Sequence, residues 1–411
     1  MAFVASGAAV QNHGDGMSRA RPLKVGILTT DNRDHWRKYD LPEPIFGPAI
    51  AALFEGMAGF SQEVEIHVIS VTQKPLQCPP KIFSHIFYHS LVVPKMGWLR
   101  TGYQGCVRAV RKKVRELGLA LVHGQGTERD CAIEAVFSGR PNILTLHGNM
   151  RAVAKALVAK PFSYHWFHAH LESLALRRTN MVFCNSSYTE TWVHPLNQKT
   201  LRMPNPVRTI FYEPRYPEGA PPASELRFLV VGLIGSYKQP LEILRALRIL
   251  RERSHTRFHC LWVGAFSGEK QYVGSFIREL EAARLAGWAD HRVEMSGRDL
   301  REAMDTRDVL IHIPREEAFG LVIAEAMLRG MAVVAGRTGG IVDFKTLYPE
   351  IRIVNPEDQQ EWLKVLTDLS LRPPSRVAWT LWDYMKFHPR EIARHHLEAY
   401  HAIVSKRAAN P

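Results

Sequence analysis

The sequence predicts an α/β protein built from two doubly wound domains with a cleft between them. Three observations carry this expectation. Short apolar runs alternate with helix-like stretches along the chain, which is the pattern of parallel sheets covered by helices. The alternation stops at a Pro-rich stretch near residue 210 and then restarts. The chain has 411 residues, more than one core usually organises, so two domains of ~200 residues are the natural division. Apolar residues make up 46% and charged residues 23%, the balance of a folded globular chain.

In the first half, residues 23–30 (LKVGILTT), 64–71, 119–123, 142–147 and 181–184 read as buried strands. Residues 46–60, 102–117, 130–138 and 164–178 read as helices. Met203-Pro204-Asn205-Pro206 and the Pro/Gly/Ala-rich stretch 214–223 break regular structure. Beyond them come strands at 227–232, 258–264, 308–314 and 332–335, with helices at 240–253, 269–287 and 321–329. A last helix is expected over 389–404, with Ile392, Leu397, Tyr400 and Ile403 on its apolar side. The resulting division is a flexible tail (1–21, with Met17 an alternative start), an N-terminal domain (22–208), a C-terminal domain (209–385) and a closing helix (386–411). Trp379 and Trp382 are expected to pack where that helix returns.

Five scattered cysteines without a C-x-x-C pair argue against a disulfide framework or a zinc ribbon and for a reducing, cytoplasmic setting. The N-terminus lacks the basic start and apolar core of a signal peptide, and no apolar run reaches the ~18–20 residues of a membrane span. Net charge is +13, which attracts polyanions. Arg100, Arg108, Arg111, Lys112, Lys113 and Arg115 form the densest basic cluster. It reads either as a solvated helix face or as a contact to an anionic membrane surface. No basic–aromatic motif or zinc finger supports nucleic acid as a partner. There is no P-loop, and Gly124-Gln125-Gly126 lacks the third glycine of a dinucleotide fingerprint. His165, His168 and His170 lack further ligands at metal spacing and read as packing residues beside Trp166 and Phe167. No metal or cofactor is expected.

The segment 314–343 (PREEAFGLVIAEAMLRGMAVVAGRTGGIVD) is the most informative. A strand ends at Pro314, acids follow at Glu316 and Glu317, and a helix opens after Gly320 and carries Glu325. A helix N-terminus at a strand end gathers unpaired N–H groups and positive dipole, which suits a phosphate. Gly320 lets the backbone approach a ligand closely. Taken alone, Glu317 and Glu325 could be surface acids, Lys238 a surface lysine, and His147 a turn histidine.

In context, Glu317-x7-Glu325 within E-A-F-G-L-x-x-x-E-A-M, followed by Gly330, the strand 332–335 and Gly339-Gly340, resembles the retaining GT-B glycosyltransferases of family 4 (glycosyl transferases group 1). The order of elements is consistent with that family over about residues 23–405. The resemblance implies two Rossmann-like domains and a reaction that moves a sugar from a nucleoside-diphosphate sugar to an acceptor hydroxyl with retention. It implies that Glu317 lies near the transferred sugar and Glu325 on the ribose hydroxyls. It also puts the backbone of Phe319, Gly320 and Leu321 near sugar and phosphates. Gly232-x-x-Gly235-x-x-Lys238 matches the family's glycine turn, with Lys238 on the donor diphosphate. A cation there stabilises the charge that develops on the leaving phosphate. His147, in Thr145-Leu146-His147-Gly148, matches the strand-end histidine that faces the donor sugar. The segment 203–207 matches the crossover. Glu317, His147 and Lys238 are thus the expected catalytic residues. Glu325, Phe319, Gly320, Leu321, Gly232, Gly235, Gly339 and Gly340 are the expected donor-binding ones.

Two departures stand out. Leu233 occupies the place of the family's arginine, for which Arg298, Arg315 or Arg337 could substitute. The loop 31–48 replaces the family's Gly-Gly loop after the first strand. A nucleotide-sugar epimerase or phosphorylase of the same fold, a weakened sugar-nucleotide binder, and a basic membrane- or nucleic-acid-binding protein are the competing readings. The expected partners are the donor, a sugar, lipid or small-molecule acceptor, and an anionic membrane met peripherally at its inner face.

Overall fold

The computed structural model describes residues 21–215, 225–254, 257–377 and 385–409. The expected tail up to residue 20, most of the stretch 214–223, Trp379 and Trp382 lie outside the described residues.

The first half runs β1 (Leu23–Leu28), α1 (Asn32–Trp36), α2 (Pro48–Met57), β2 (Val64–Thr72), β3 (Lys81–Phe83), β4 (Ile86–Val92), α3 (Gln104–Glu116), β5 (Leu121–Gln125), α4 (Cys131–Val136), β6 (Asn142–Leu146), α5 (Met150–Ala156), α6 (Tyr164–Arg178), β7 (Met181–Cys184), α7 (Ser187–Val193) and β8 (Thr200–Arg202). The second runs β9 (Leu226–Val231), α8 (Pro240–Ser254), β10 (Phe258–Val263), α9 (Lys270–Leu285), β11 (Ala289–Arg292), α10 (Gly297–Asp305), β12 (Val309–His312), α11 (Leu321–Leu328), β13 (Ala332–Gly336), α12 (Ile341–Leu347), β14 (Arg352–Val354) and α13 (Gln359–Leu371). A long helix, α14 (Pro389–Ala409), follows.

The first sheet has strand order β3-β4-β2-β1-β5-β6-β7-β8 and the second β11-β10-β9-β12-β13-β14. All strands are parallel except the β3–β4 pair. Central strands β1, β5, β6 and β12 are almost wholly buried, as parallel strands covered on both faces must be. The strand order reverses between β1 and β5 in one sheet and between β9 and β12 in the other. Ligands of open α/β sheets bind at such reversals, beyond the carboxyl ends of the strands.

The chain passes between the halves twice, and the two passages touch: Val207 N–H donates to Phe387 O at 3.0 Å. After the second, α14 returns to the N-terminal half. Its Ile392, Ala393, Leu397 and Tyr400 are buried among Val25, Leu53 and Phe183. Gly56 on α2 is needed for this contact, since a Cβ there would lie 2.1 Å from Pro389 O. Tyr400 OH also reaches buried His123 Nδ1 at 2.6 Å.

The basic helix α3 buries Cys106, Val107, Val110 and Val114 and exposes Arg108, Arg111 and Lys112. The histidines of α6 pack among aromatics: His168 Nε2 meets Tyr103 OH at 2.9 Å, and His170 lies tilted against Trp166 at 4.0 Å between ring centres. All five cysteines are free, and Cys78 alone of them is not buried. Among the described residues no helix is long and apolar enough to cross a membrane.

Candidate active site

The cleft holds a cavity of about 400 Å³ whose walls come from both domains. Thr29, Thr30 and Asn32 follow β1, Gln125 and Glu128 come from the end of β5, and His147 follows β6. From the other side, Glu317, Phe319, Gly320 and Leu321 follow β12. Both strand-order reversals therefore open onto one space.

Glu317 is the electrostatic centre of the C-terminal wall. Lys238 Nζ donates to its Oε2 at 2.5 Å and His312 Nε2 at 3.1 Å. Burial pushes the Glu317 carboxyl up, but Lys238 and then His312 outweigh it and hold the group well below the usual carboxylate range. Burial likewise pulls Lys238 down, and Glu317 more than reverses this, so the lysine stays charged. Burial lowers His312, so it is a neutral donor to Glu317. A charge-assisted hydrogen bond of this kind contributes roughly 1.5–3 kcal/mol.

Glycines set the backbone around this pair. Gly340 N–H donates to Glu317 O at 2.9 Å. A Cβ on Gly339 (φ +51°) would lie 2.0 Å from Glu317 O, and one on Gly340 would lie 2.1 Å from Ala318 O. The Gly339-Gly340 turn thus clasps the Glu317 loop from behind. Gly320 adopts φ +91°, where a side chain is strained, and places the α11 N-terminus at the cavity, where Ile323 N–H donates to Gly320 O at 2.9 Å. Phe319 is buried against Phe344 at 5.2 Å between ring centres. Leu321 lines the cavity beside it.

Lys238 ends a short 3-10 turn that starts after Gly235. Gly264 makes way for the end of β9, since a Cβ there would strike Gly232 O at 1.9 Å, and Gly232 itself sits at φ +152° beside the Lys238 side chain. Gly235 faces Glu269, whose Oε1 accepts from Ser236 N at 3.2 Å. Gln239 follows in the left-handed region at φ +57° and ties the turn to Ile313 O and Pro356 O at 3.0 and 3.1 Å. Arg315 N–H adds a bond to Tyr237 O at 2.7 Å. Leu233 is 38% exposed. Arg298, Arg315 and Arg337 are absent from the cavity lining among the described residues, and Arg315 is drawn to Glu357 at 3.2 Å.

Glu325 stands one layer behind. It is 4% exposed, and its Oε1 lies 3.6 Å from Arg208 Nη2. Burial raises its carboxyl to about 7, with Arg208 opposing. Sequence reasoning did not single out Arg208, which follows the crossover.

Across the cavity, His147 Nε2 lies 2.9 Å from Gln125 Oε1. The ring is pulled down to about 4 by burial, against a bond with Asn205. It is therefore neutral at pH 7. Glu128 is pushed up to about 7, by burial first, with its backbone N–H partners opposing and Glu172 adding.

The loop 31–48 is ordered by a buried ion pair. Arg33 donates to Asp31 Oδ2 at 2.7 Å, to Leu41 O at 2.6 Å and to Gln77 O at 2.8 Å, while Tyr88 OH donates to Asp31 Oδ2 at 2.7 Å. The excursion ends at Gly47-Pro48, which starts α2, and both residues line the cavity. A helix N-terminus therefore reaches the cleft although the Gly-Gly pair does not occur after β1. Asn205, Gln125, Glu128 and Asn32 also line the site and were not anticipated as site residues. Only the strand-end positions of Gln125 and Asn32 hinted at them.

The domains are latched beside the cavity. Ser186 Oγ donates to Ala318 O at 2.6 Å, Tyr188 OH to Glu316 Oε2 at 2.9 Å, and Ser187 N–H to Asp343 Oδ2 at 2.7 Å. Lys38, in the loop 31–48, spans to Glu294 at 3.0 Å.

Residues 217–380 match the model of the family described as glycosyl transferases group 1. The chain carries a group 1 glycosyl transferase domain. Glu317, Glu325, Lys238 and Gly339-Gly340 all fall within it. A D-inositol 3-phosphate glycosyltransferase of Arthrobacter sp. (strain FB24) is 28% identical over 193 residues, spanning 45% of this chain and 44% of that protein's own length. The structure is similar to that of sucrose-phosphate synthase from Thermosynechococcus elongatus, with TM-score 0.64, 17% identity, and 94% and 98% of the two chains covered. It is also similar to Anabaena HepE in complex with UDP and glucose, with TM-score 0.60, 16% identity and the same coverage. These structures share the GT-B fold of this chain.

Proposed function

We propose that the chain transfers a sugar from a nucleoside-diphosphate sugar to an acceptor hydroxyl, with retention of anomeric configuration. The observation that carries this reading is Glu317 on the cavity wall ahead of α11, held by Lys238 behind it, with His147 on the same cavity from the other domain. The donor diphosphate lies against Lys238 and the α11 N-terminus, with the ribose on the side of Glu325 and Arg208. The C1–O bond of the donor breaks, and its electron pair leaves on the terminal phosphate oxygen. The acceptor oxygen bonds to C1 from the same face and passes its proton to that phosphate. Lys238 stabilises the charge that appears on the leaving group. Glu317 and neutral His147 position the sugar, and the Ser186 and Tyr188 latches hold the domains closed against water. HepE has been solved with UDP and glucose, which makes UDP-glucose the first donor to try.

The test is release of nucleoside diphosphate from UDP-, GDP- and ADP-sugars, with the anomeric proton coupling of the product read by NMR. Turnover of one donor with an unchanged anomer is expected. An inverted product, or an epimerised donor without transfer, would refute the reading.

The exposed face of α3 adds a peripheral contact to an anionic membrane, supported by Arg108, Arg111 and Lys112 pointing to solvent. Replacing these and Lys113 with Gln should lower binding to anionic vesicles, and unchanged binding removes the idea.

A further inference from the structure

A second cavity, of about 530 Å³, lies in the N-terminal domain beside the cleft. Lys95, Trp98, Arg100, Tyr103, Arg129 and Tyr164 supply its chemistry. It adjoins the first cavity through consecutive residues, since Glu128 lines one and Arg129 the other. Tyr164 OH braces that junction by donating to Glu128 O at 2.7 Å.

Arg129 is the unusual group. Its guanidinium stacks over the Trp98 ring, 5.2 Å from the centre. Its side chain is 22% exposed, and its nearest carboxylate oxygen, Asp34 Oδ2, lies 3.9 Å away, beyond hydrogen-bond reach. That same oxygen is buried without a hydrogen-bond partner. No hydrogen bond from the Arg129 guanidinium is found among the described residues. A guanidinium has five N–H donors in a planar fork that matches a carboxylate or phosphate. A largely buried fork with nothing accepting from it is half of a binding site.

The walls agree with this. Every charged side chain on the cavity lining is a cation, Lys95, Arg100 and Arg129. Trp98 and Tyr103, 7% and 3% exposed, are rigid backing for Arg129, and Tyr164, 46% exposed, offers an open ring face. Trp98 is fixed by its Nε1–H bond to Val93 O at 2.9 Å, and Tyr103 by its hydroxyl on His168. Tyr103 is also held at φ +64°, a conformation that a bulky residue adopts only when its surroundings impose it.

We infer that this cavity binds the acceptor through a phosphate on a sugar or polyol ring, the phosphate on Arg129 with Arg100 and Lys95, the ring against Tyr164. This rests on the transfer reading for its place beside the donor. The anion site itself can be measured without turnover. The same chemistry is met in a free sugar phosphate or in a phosphoinositide headgroup.

The experiment is titration calorimetry of the full chain with D-glucose 6-phosphate and D-glucose, together with co-sedimentation on phosphatidylcholine vesicles with and without phosphatidylinositol. At least one phosphorylated probe should bind, glucose should bind at least ten-fold more weakly than its phosphate, and UDP should not displace the probe. Arg129→Gln should weaken binding at least ten-fold. Arg100→Gln, at an exposed position where folding is not at stake, should weaken it about three-fold. Preference for the soluble ester or for the vesicle decides the source of the phosphate. Failure of both phosphorylated probes to bind, or equal binding by both variants, overturns the inference. UDP, GDP and ADP binding is measured in parallel: loss of nucleotide binding with retained phosphate binding would fail the donor reading alone.

Discussion

Lys238 Nζ sits 2.5 Å from Glu317 Oε2, joining the turn after β9 to the loop after β12 across the strand-order reversal of the C-terminal sheet. The pair keeps both charges in place before any ligand arrives. Glu317→Gln keeps shape and removes the charge. It should lower turnover by about 10²–10³-fold, the loss typical of one group that acts on developing charge. Nucleoside diphosphate affinity should change only a few-fold. Steady-state kinetics beside nucleotide titration would check this, and a fall in affinity as large as the fall in turnover would contradict it.

Gly340→Ala should be severe although it alters no charge. Its Cβ would meet Ala318 O at 2.1 Å and Ser186 Cβ at 2.8 Å, so either the Glu317 loop or the domain latch must shift. Overpacking of this kind costs about 1–3 kcal/mol or more. A drop in denaturation midpoint together with reduced turnover is expected.

Glu128 makes stability depend on pH. Its folded carboxyl is raised to about 7, above the unfolded value of ~4.3. The folded state therefore binds the extra proton. The contribution is fully present below the unfolded value and is lost as pH rises through about 7. Glu128→Gln should flatten the stability profile between about pH 4.5 and 7 by up to ~3 kcal/mol. Denaturation series at several pH values would measure it, and parallel profiles for the two proteins would contradict it.

Arg33→Met should leave Asp31 buried and unpaired. Breaking a buried pair from one side costs about 3–5 kcal/mol. The loop 31–48 should become the first site of limited proteolysis, because its tethers to Leu41 O and Gln77 O disappear.

Much of this was legible in the sequence, and the reason is physical. Buried parallel strands such as β6 and β7 are short continuous apolar runs, and α6 was expected over the residues it occupies, Tyr164–Arg178. The Glu317–Gly340 segment showed itself because close backbone packing demands glycine at fixed places. The edge strands β3, β8, β11 and β14, and β4 beside the edge, were not anticipated. They are short or half-exposed, so their apolar pattern is weak. The short helices α5, α7 and α12 escaped for the same reason. Arg208, Gln125 and Asn205 reach the site only through tertiary contacts between distant segments. The ion pair that orders the loop 31–48 was also hidden, because Arg33 and Asp31 look like surface charges until Tyr88 and the carbonyl oxygens of Leu41 and Gln77 surround them.

The central claim is that the cleft binds a nucleoside-diphosphate sugar through Lys238. The most direct measurement is a thermal-shift series with UDP, GDP, ADP and their glucose conjugates on wild type and Lys238→Ala, with Lys238→Ala/Glu317→Gln included to remove the orphaned carboxylate. A ligand at 100 times its dissociation constant adds ~2.7 kcal/mol of stability. One nucleotide family should raise the wild-type midpoint, and both variants should lose most of that rise. No shift in wild type with any nucleotide, or an equal shift in all three proteins, would contradict the account.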